Sequence, residues 1–451
     1  MSIAEKMAHF AFTLSYGELP KEVLEKAKSC LINAIGIGIS AYKNENFKIA
    51  KQVIEKEEKG VFKTGGSTIF CDGRKATSMG AAFVNAVLFL GQYQEDTLGT
   101  CHIGPIIPPL VLALAEKNNS SGRRVIEAIV LGYEIIGLLE KNFSSFVKPR
   151  GFRATTIFGI FGCAAAASKI MGLSEAETSN ALGFATAFAS GILEYQNSGT
   201  SEWFFEVGLT SKEGILAALL AQSGAIASRR GIEGNKGFLK AFTGNNKNSE
   251  HIADDLGKNW SILKTAFKLY PVSDINQAPV RAVLSLVREN NLKCEDILRV
   301  TIKVNPNEHD RTNTQNRGPF YCIEDTMQSI PFCVATAIVE GKIIPETLRK
   351  YDSEKINELI KKVVLIPEKN VQNFCSIVII ETMEGAVYKK NCNEGTDYYF
   401  LNLERTVALA KEVMFISGIH TEKAKEIVSL LMNLENITNI KPLAEILGSC
   451  P

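Results

Sequence analysis

The chain has 451 residues, 45% of them hydrophobic and 22% charged, the balance of an ordinary globular protein. That length allows two or three domains with ample core. A formal net charge of +1 argues against nucleic acid or an acidic membrane as the main partner.

The N-terminus lacks a charged start followed by an apolar core, so no signal peptide is expected. No apolar run reads as long enough to span a bilayer. Helical apolar spacing covers 3–16, 20–40 and, with more charge, 47–58. A glycine-rich connection at 65–73 leads to an alanine-rich stretch at 75–90 that reads as a buried helix. Residues 105–116 (PIIPPLVLALAE) read as another, with prolines where a first helical turn tolerates them. Helices are expected over 120–141, 152–171, 209–223 and 235–242. Ser174-Glu-Ala-Glu177 is a capping box that starts a further helix, to about residue 190. The stretch 159–170 carries almost no charge and is expected inside the protein. Up to about residue 258 there is almost no strand signal, which implies a large all-α domain with central helices buried all round.

The pattern then changes. Residues 297–304 (ILRVTIKV) alternate with period two and are rich in branched side chains. Residues 362–366 and 376–381 read the same way, and Met383-Glu-Gly385 turns the latter into a hairpin with 386–390. Helices are expected over 278–289 and 327–340. The fold class is therefore mainly α: an all-α domain over 1–264, a smaller α+β domain over 265–395, and C-terminal helices over 396–451 that return to the first domain.

Ten cysteines are scattered along the chain without a C-x-x-C pair, and there are five histidines. A zinc or iron–sulfur site is not expected from such a set. Cys30, Cys163, Cys333 and Cys375 lie in apolar surroundings, as buried reduced thiols do. A reducing, cytoplasmic location follows as an expectation. Phosphate-binding glycine loops and a nucleophile elbow are missing from any fitting context. Cofactor-free acid–base chemistry is the class left open.

The segment best suited to that chemistry is the loop 91–105, between two buried helices. It holds Tyr93, Glu95, Asp96, Thr97 and His102, and loops on a rigid scaffold commonly carry chemistry. Architecture alone also accounts for these residue types: Asp96 and Thr97 suit turns and caps, and His102 suits a backbone contact at a helix start.

Several stretches together resemble the MmgE/PrpD family, which includes 2-methylcitrate dehydratase, cis-aconitate decarboxylase and iminodisuccinate epimerase. They are Leu31-Ile-Asn-Ala-Ile-Gly36, then Asn85-Ala86 leading to Glu95-Asp-Thr97 and His102. Gly151-Phe-Arg-Ala-Thr155 running into Gly162-Cys-Ala-Ala-Ala-Ala167 follows, as do 214–221 and 233–238. Phe267-Lys-Leu-Tyr-Pro271 opens what in the family is a lid domain. The resemblance implies an all-α domain with an α+β lid, a homodimer, a small-molecule substrate with a carboxyl or carbonyl group, and no metal or organic cofactor. It implies no nucleic-acid or membrane partner. His102, Asp96, Thr97 and Lys268 fall on matching family positions. Tyr93 stands where the family has aspartate, Arg153 where it has histidine, Trp203 for lysine and Glu206 for histidine. Ser273 replaces histidine or cysteine, Gln277 a further common histidine, and Asn33 an aspartate.

Physically, Trp203 deletes a cation and adds apolar surface, Glu206 adds an anion, and Tyr93 brings a phenol with an ordinary pKa near ~10. Arg153 alone restores positive charge. The pocket is expected to suit a larger, less anionic substrate than methylcitrate or aconitate. The expected catalytic set is His102 as base, Asp96 to orient it, Tyr93 as the rival acid–base group, and Lys268. Thr97, Arg153, Trp203, Glu206 and Ser273 are expected to bind substrate. A lyase or isomerase working through an enolate-like intermediate is the first reading, a recruited cyclase or isomerase of a biosynthetic pathway the second, and a non-catalytic binding protein on the same fold the third.

Overall fold

The computed structural model describes residues 1–58, 66–246 and 249–451. Gly65, where the glycine-rich connection was expected to start, lies outside them. The chain divides into two compact units: Met1–Tyr195, Ser201–Phe267 and Leu401–Pro451 form the first, Gln196–Thr200 and Lys268–Phe400 the second.

The first unit is helical. Its elements are α1 (Ile3–Thr13), α2 (Lys21–Ile39), α3 (Glu45–Glu57), α4 (Ser78–Leu90), α5 (Ile107–Lys117), α6 (Gly122–Val147), α7 (Ala154–Met171) and α8 (Glu175–Phe188). After the short turn α9 (Tyr195–Ser198), whose last three residues belong to the second unit, come α10 (Glu202–Gln222) and α11 (Phe238–Thr243). Among its described residues strand is confined to two-residue pairs: β1 (Ser67–Thr68) with β2 (Lys75–Ala76), and β3 (Asp96–Thr97) with β4 (Ala266–Phe267). The first two residues of the helix expected over 75–90 belong to β2 instead, because Lys75 and Ala76 pair back onto Thr68 and Ser67.

The centre of this unit is the stack of α4, α6, α7 and α10. Small residues let these helices approach. A Cβ on Gly214 would stand 2.3 Å from Cys163 Cβ, so the contact of α10 with α7 leaves no room for a side chain there. Ser174 and Glu177 make the reciprocal capping box that starts α8. One expectation is corrected: α7 is long and apolar enough, by length and composition, to cross a membrane, because Ala154–Phe158 extend the uncharged stretch on its N-terminal side. It is 94% buried inside the protein, as a core helix is. Burial within one chain also removes the argument that apolar helices need a second subunit to cover them. The expected homodimer then rests on the family resemblance.

The second unit holds α12 (Gln277–Asn290), α13 (Pro306–His309), α14 (Ile323–Gln328), α15 (Ile330–Glu340), α16 (Pro345–Leu348) and α17 (Glu354–Lys362). They accompany a sheet of β5 (Ile297–Val304), β6 (Val363–Pro367), β7 (Ser376–Thr382) and β8 (Val387–Cys392) in the order β6-β5-β7-β8. β5 runs parallel to β6 and antiparallel to β7, and β7–β8 is the expected hairpin. Along β7 the side chains of Ser376, Val378, Ile380 and Thr382 are buried and the alternate ones are not, the period-two pattern of a sheet with one covered face. Back in the first unit, α18 (Leu403–Ile416), α19 (Thr421–Met432) and α20 (Lys441–Gly448) close the chain, with α18 packed along α2.

Candidate active site

The loop between α4 and α5 is fixed from both ends. At its start Gly91 O accepts from Asn44 Nδ2 at 3.0 Å, and a Cβ on Gly91 would stand 2.7 Å from Ala41 Cβ. Tyr93 follows with φ +59°, a left-handed conformation that a side chain with a Cβ adopts only when its surroundings hold it. Asp96 and Thr97 then pair with Phe267 and Ala266. Leu98 and Cys101 exchange backbone hydrogen bonds of 2.8 and 3.1 Å, which makes a tight turn closed over Glu140. His102 N donates to Thr155 Oγ1 at 3.1 Å, and Gly104 N donates to Asp96 Oδ1 at 2.6 Å. The Asp96 carboxylate thus closes the loop across the histidine.

Beside the histidine lies a buried carboxylate. His102 Nδ1 lies 2.8 Å from Glu95 Oε1, with the histidine side chain 30% exposed and the glutamate side chain 5% exposed. A buried carboxylate beside a half-exposed imidazole holds one ring tautomer and stabilises the protonated ring. Asp96, expected in that orienting place, does other work. It is fully buried, and its second oxygen accepts from the Tyr133 hydroxyl. Burial pushes the Asp96 carboxyl up to about 6, opposed by the bonds from Tyr133 and Gly104 and by the charge of Lys26. Lys26 donates to Thr265 O at 2.6 Å and sits 4.3 Å above the Phe267 ring, and burial lowers its pKa.

Around Tyr93 the rings gather. Its centroid is 5.8 Å from that of Trp203 and 5.7 Å from that of Phe204. Tyr195 stacks on Trp203 at 5.8 Å and 17°. Arg153, at the N-cap of α7, places its guanidinium 5.5 Å from the Tyr195 ring and 5.8 Å from Trp203. Arg153 Nη1 donates to Glu206 Oε2 at 2.9 Å and to Trp203 O at 2.6 Å. The other Glu206 oxygen accepts from Ile192 N at 3.1 Å. Arg153 was expected to offer a cation to substrate; in the structure that charge is met by Glu206.

Tyr93, Glu95, His102, Arg153, Trp203 and Glu206 all belong to the first unit, and Thr97 lies partly exposed in β3. Lys268, 6% exposed, and Ser273 belong to the second. Ser273 Oγ accepts from Asn276 Nδ2 at 3.1 Å, and its N donates to Met327 O at 3.0 Å, so this serine is built into a turn. Gln277 does similar work: its Oε1 accepts from Leu269 and Tyr270 N, and its Nε2 donates to Tyr270 and Val272 O. Sequence reasoning placed Glu95 in the loop without giving it a role. Glu95 precedes β3 and Asp96 begins it, both are buried, and their partners, His102 and Tyr133, lie outside that strand. Tyr195 and Phe204 carried no chemical pattern and were missed.

The raised Asp96 pKa has a testable consequence. A carboxyl whose pKa is about 6 when folded and near 3.8 otherwise favours the folded state in its protonated form. That contribution is fully present below the ordinary pKa and is lost as pH rises through about 6. Asp96→Asn removes the titration. Its unfolding midpoint in urea, relative to the parent's, is expected to rise steadily from pH 4.5 to pH 7. A difference that is flat over this range, or that falls, would contradict the assignment.

Two family models match the chain. The MmgE/PrpD N-terminal domain matches residues 5–251 and the MmgE/PrpD C-terminal domain residues 270–396. The chain is 24% identical over 482 residues to a cis-aconitate decarboxylase of Aspergillus terreus, covering 100% of this chain and 96% of the relative. It is 27% identical over 392 residues to human cis-aconitate decarboxylase, covering 83% and 78%. It is 23% identical over 391 residues to the cis-aconitate decarboxylase-like protein oryM of Aspergillus oryzae, covering 81% and 80%. With the N-terminal model alone spanning more than half of its length, the chain belongs to the MmgE/PrpD family.

Proposed function

We propose that this protein is a cofactor-independent lyase or isomerase that moves a proton next to a carbonyl or carboxyl group, on a substrate larger and less anionic than cis-aconitate. The observation that carries the reading is the pairing of His102 with the buried Glu95, 2.8 Å apart, on a loop fixed at both ends. His102 Nε2 takes the proton from carbon, or returns it, while Glu95 balances the imidazolium that forms. The electron pair left on carbon spreads into the neighbouring carbonyl as an enolate-like intermediate. Its collapse expels a leaving group, or reprotonation completes an isomerisation. The Thr97 hydroxyl is the nearest group in the sequence suited to hold a substrate oxygen. Similarity to cis-aconitate decarboxylases supports the lyase class.

The substrate preference follows from charge. Arg153 and Glu206 cancel, and Trp203 adds aromatic surface rather than a cation. A tricarboxylate brought beside the Glu206 carboxylate would meet repulsion without a free cation there to offset it. The family context adds a cytoplasmic homodimer to the proposal. The test is a panel of carboxylic acids, esters and ketones in D2O, followed by NMR for deuterium uptake and product. Turnover or exchange on a mono-anionic or neutral compound is expected, with methylcitrate and cis-aconitate poor. Efficient conversion of either tricarboxylate would refute the substrate class. Binding without exchange across a panel that includes a tight ligand would favour a non-catalytic role.

A further inference from the structure

The ring cluster beside the histidine loop contains one polar atom that the fold leaves unmet. Trp203 is 6% exposed, and its indole Nε1 has no hydrogen-bond partner among the described residues. Buried donors are almost always paired, and leaving one unpaired costs its full desolvation. An indole N–H can only donate, so what it lacks is an acceptor. The acceptors around it are committed: Trp203 O and Glu206 Oε2 take Arg153, and Glu206 Oε1 takes Ile192 N.

The surroundings define the missing group. Arg153, whose guanidinium lies 5.8 Å from the Trp203 ring, is paired with Glu206, and the pair sums to zero and offers nothing to select an anion. A carboxylate set against the indole would also lie near the Glu206 carboxylate. The remaining walls are rings: Phe204 at 4.3 Å, Tyr195 at 5.8 Å and Tyr93 at 5.8 Å from the Trp203 centroid. Tyr93 belongs to the loop that carries His102, and Arg153 caps the helix whose Thr155 binds His102 N. Trp203 and His102 are thus both anchored on the same loop and the same helix. Tyr195 is only partly buried.

We propose that Trp203 is the residue that reads the substrate, its indole N–H donating to a neutral oxygen acceptor (an ester, amide or ketone carbonyl) flanked by an apolar or planar group. The inference rests on the reading of the site as an acid–base centre for a substrate of low charge, and names the group that replaces the second carboxylate.

The full-length protein carries two tryptophans, so indole-15N labelling gives two Nε1–H resonances, with Trp260 as internal control. The probes are 3-phenylpropanamide, methyl 3-phenylpropanoate and 3-phenylpropanoate. The amide and ester are expected to move the Trp203 resonance downfield and leave Trp260 in place, with the carboxylate at least about tenfold weaker. Trp203→Phe keeps the ring and removes the N–H, and should weaken amide binding about threefold to tenfold. Equal amide affinity in Trp203→Phe, preference for the carboxylate, or no response of Trp203 to either neutral probe would overturn the proposal. If Trp203→Phe does not fold, the resonance shift in the unaltered protein decides. Failure here with intact proton exchange at His102 would sink only the specificity assignment; a shifted Trp203 with no exchange on any compound would sink the catalytic reading instead.

Discussion

Replacing His102 by glutamine should leave the fold intact and slow turnover by about 10²–10⁴-fold, the usual cost of losing a general base. The ring is only half-buried and its backbone is held by Thr155, so folding does not depend on the imidazole. Glu95→Gln should cost less, since it keeps the shape and removes only the charge that balances the imidazolium. Tyr93→Phe keeps the packing against Trp203 and Phe204 and removes the phenol. The rival assignment predicts the opposite order of effects. Near-native turnover in His102→Gln together with a dead Tyr93→Phe would move the base to the phenol. Single-turnover kinetics on the substrate found in the panel reads all three variants.

The second large effect concerns stability. Glu206→Leu leaves the Arg153 guanidinium, 3% exposed, buried with no carboxylate beside it. Breaking such a pair from one side typically costs about 3–5 kcal/mol. Arg153→Met with Glu206→Leu removes both charges and should recover most of that loss, because apolar side chains of similar size replace buried pairs at little cost. Both tryptophans lie in the first unit, so urea unfolding followed by their fluorescence reports the unit in which the pair sits. Equal midpoints for Glu206→Leu and the parent would mean that the pair is solvated in solution and that Arg153 is available to ligands after all.

Much of the fold was legible because the period of the hydrophobic pattern is a local property. β5 was found to the residue, since ILRVTIKV alternates between turn signals that bound it. α8 was found from Ser174 and Glu177, whose side chains make the cap. α10 starts at Glu202, several residues earlier than its apolar pattern shows, because Trp203, Phe204 and Val207 are buried by contacts from other parts of the chain. α7 was found over nearly its whole length, with the expected start at 152 two residues ahead of Ala154 because Arg153 stands at the N-cap. In the site, residue types were legible and pairings were not. Asp96 and Glu95 are buried neighbours with the same charge, yet one meets Tyr133 and Gly104 and the other His102. The cancellation of Arg153 by Glu206 joins residues 53 positions apart and left no trace in local sequence.

Gln277 bears on how the second unit responds to its solvent. One neutral amide satisfies four backbone groups of the segment Leu269–Val272, immediately after Lys268. An imidazole has two nitrogens and could meet at most two of those groups, and its bonding would change as it took up a proton near neutrality. With glutamine in place the segment that follows Lys268 keeps one geometry whatever the acidity of the medium. On the proposed reading, proton transfer falls to the first unit's His102 and Glu95, and the backbone that follows Lys268 takes no part in it.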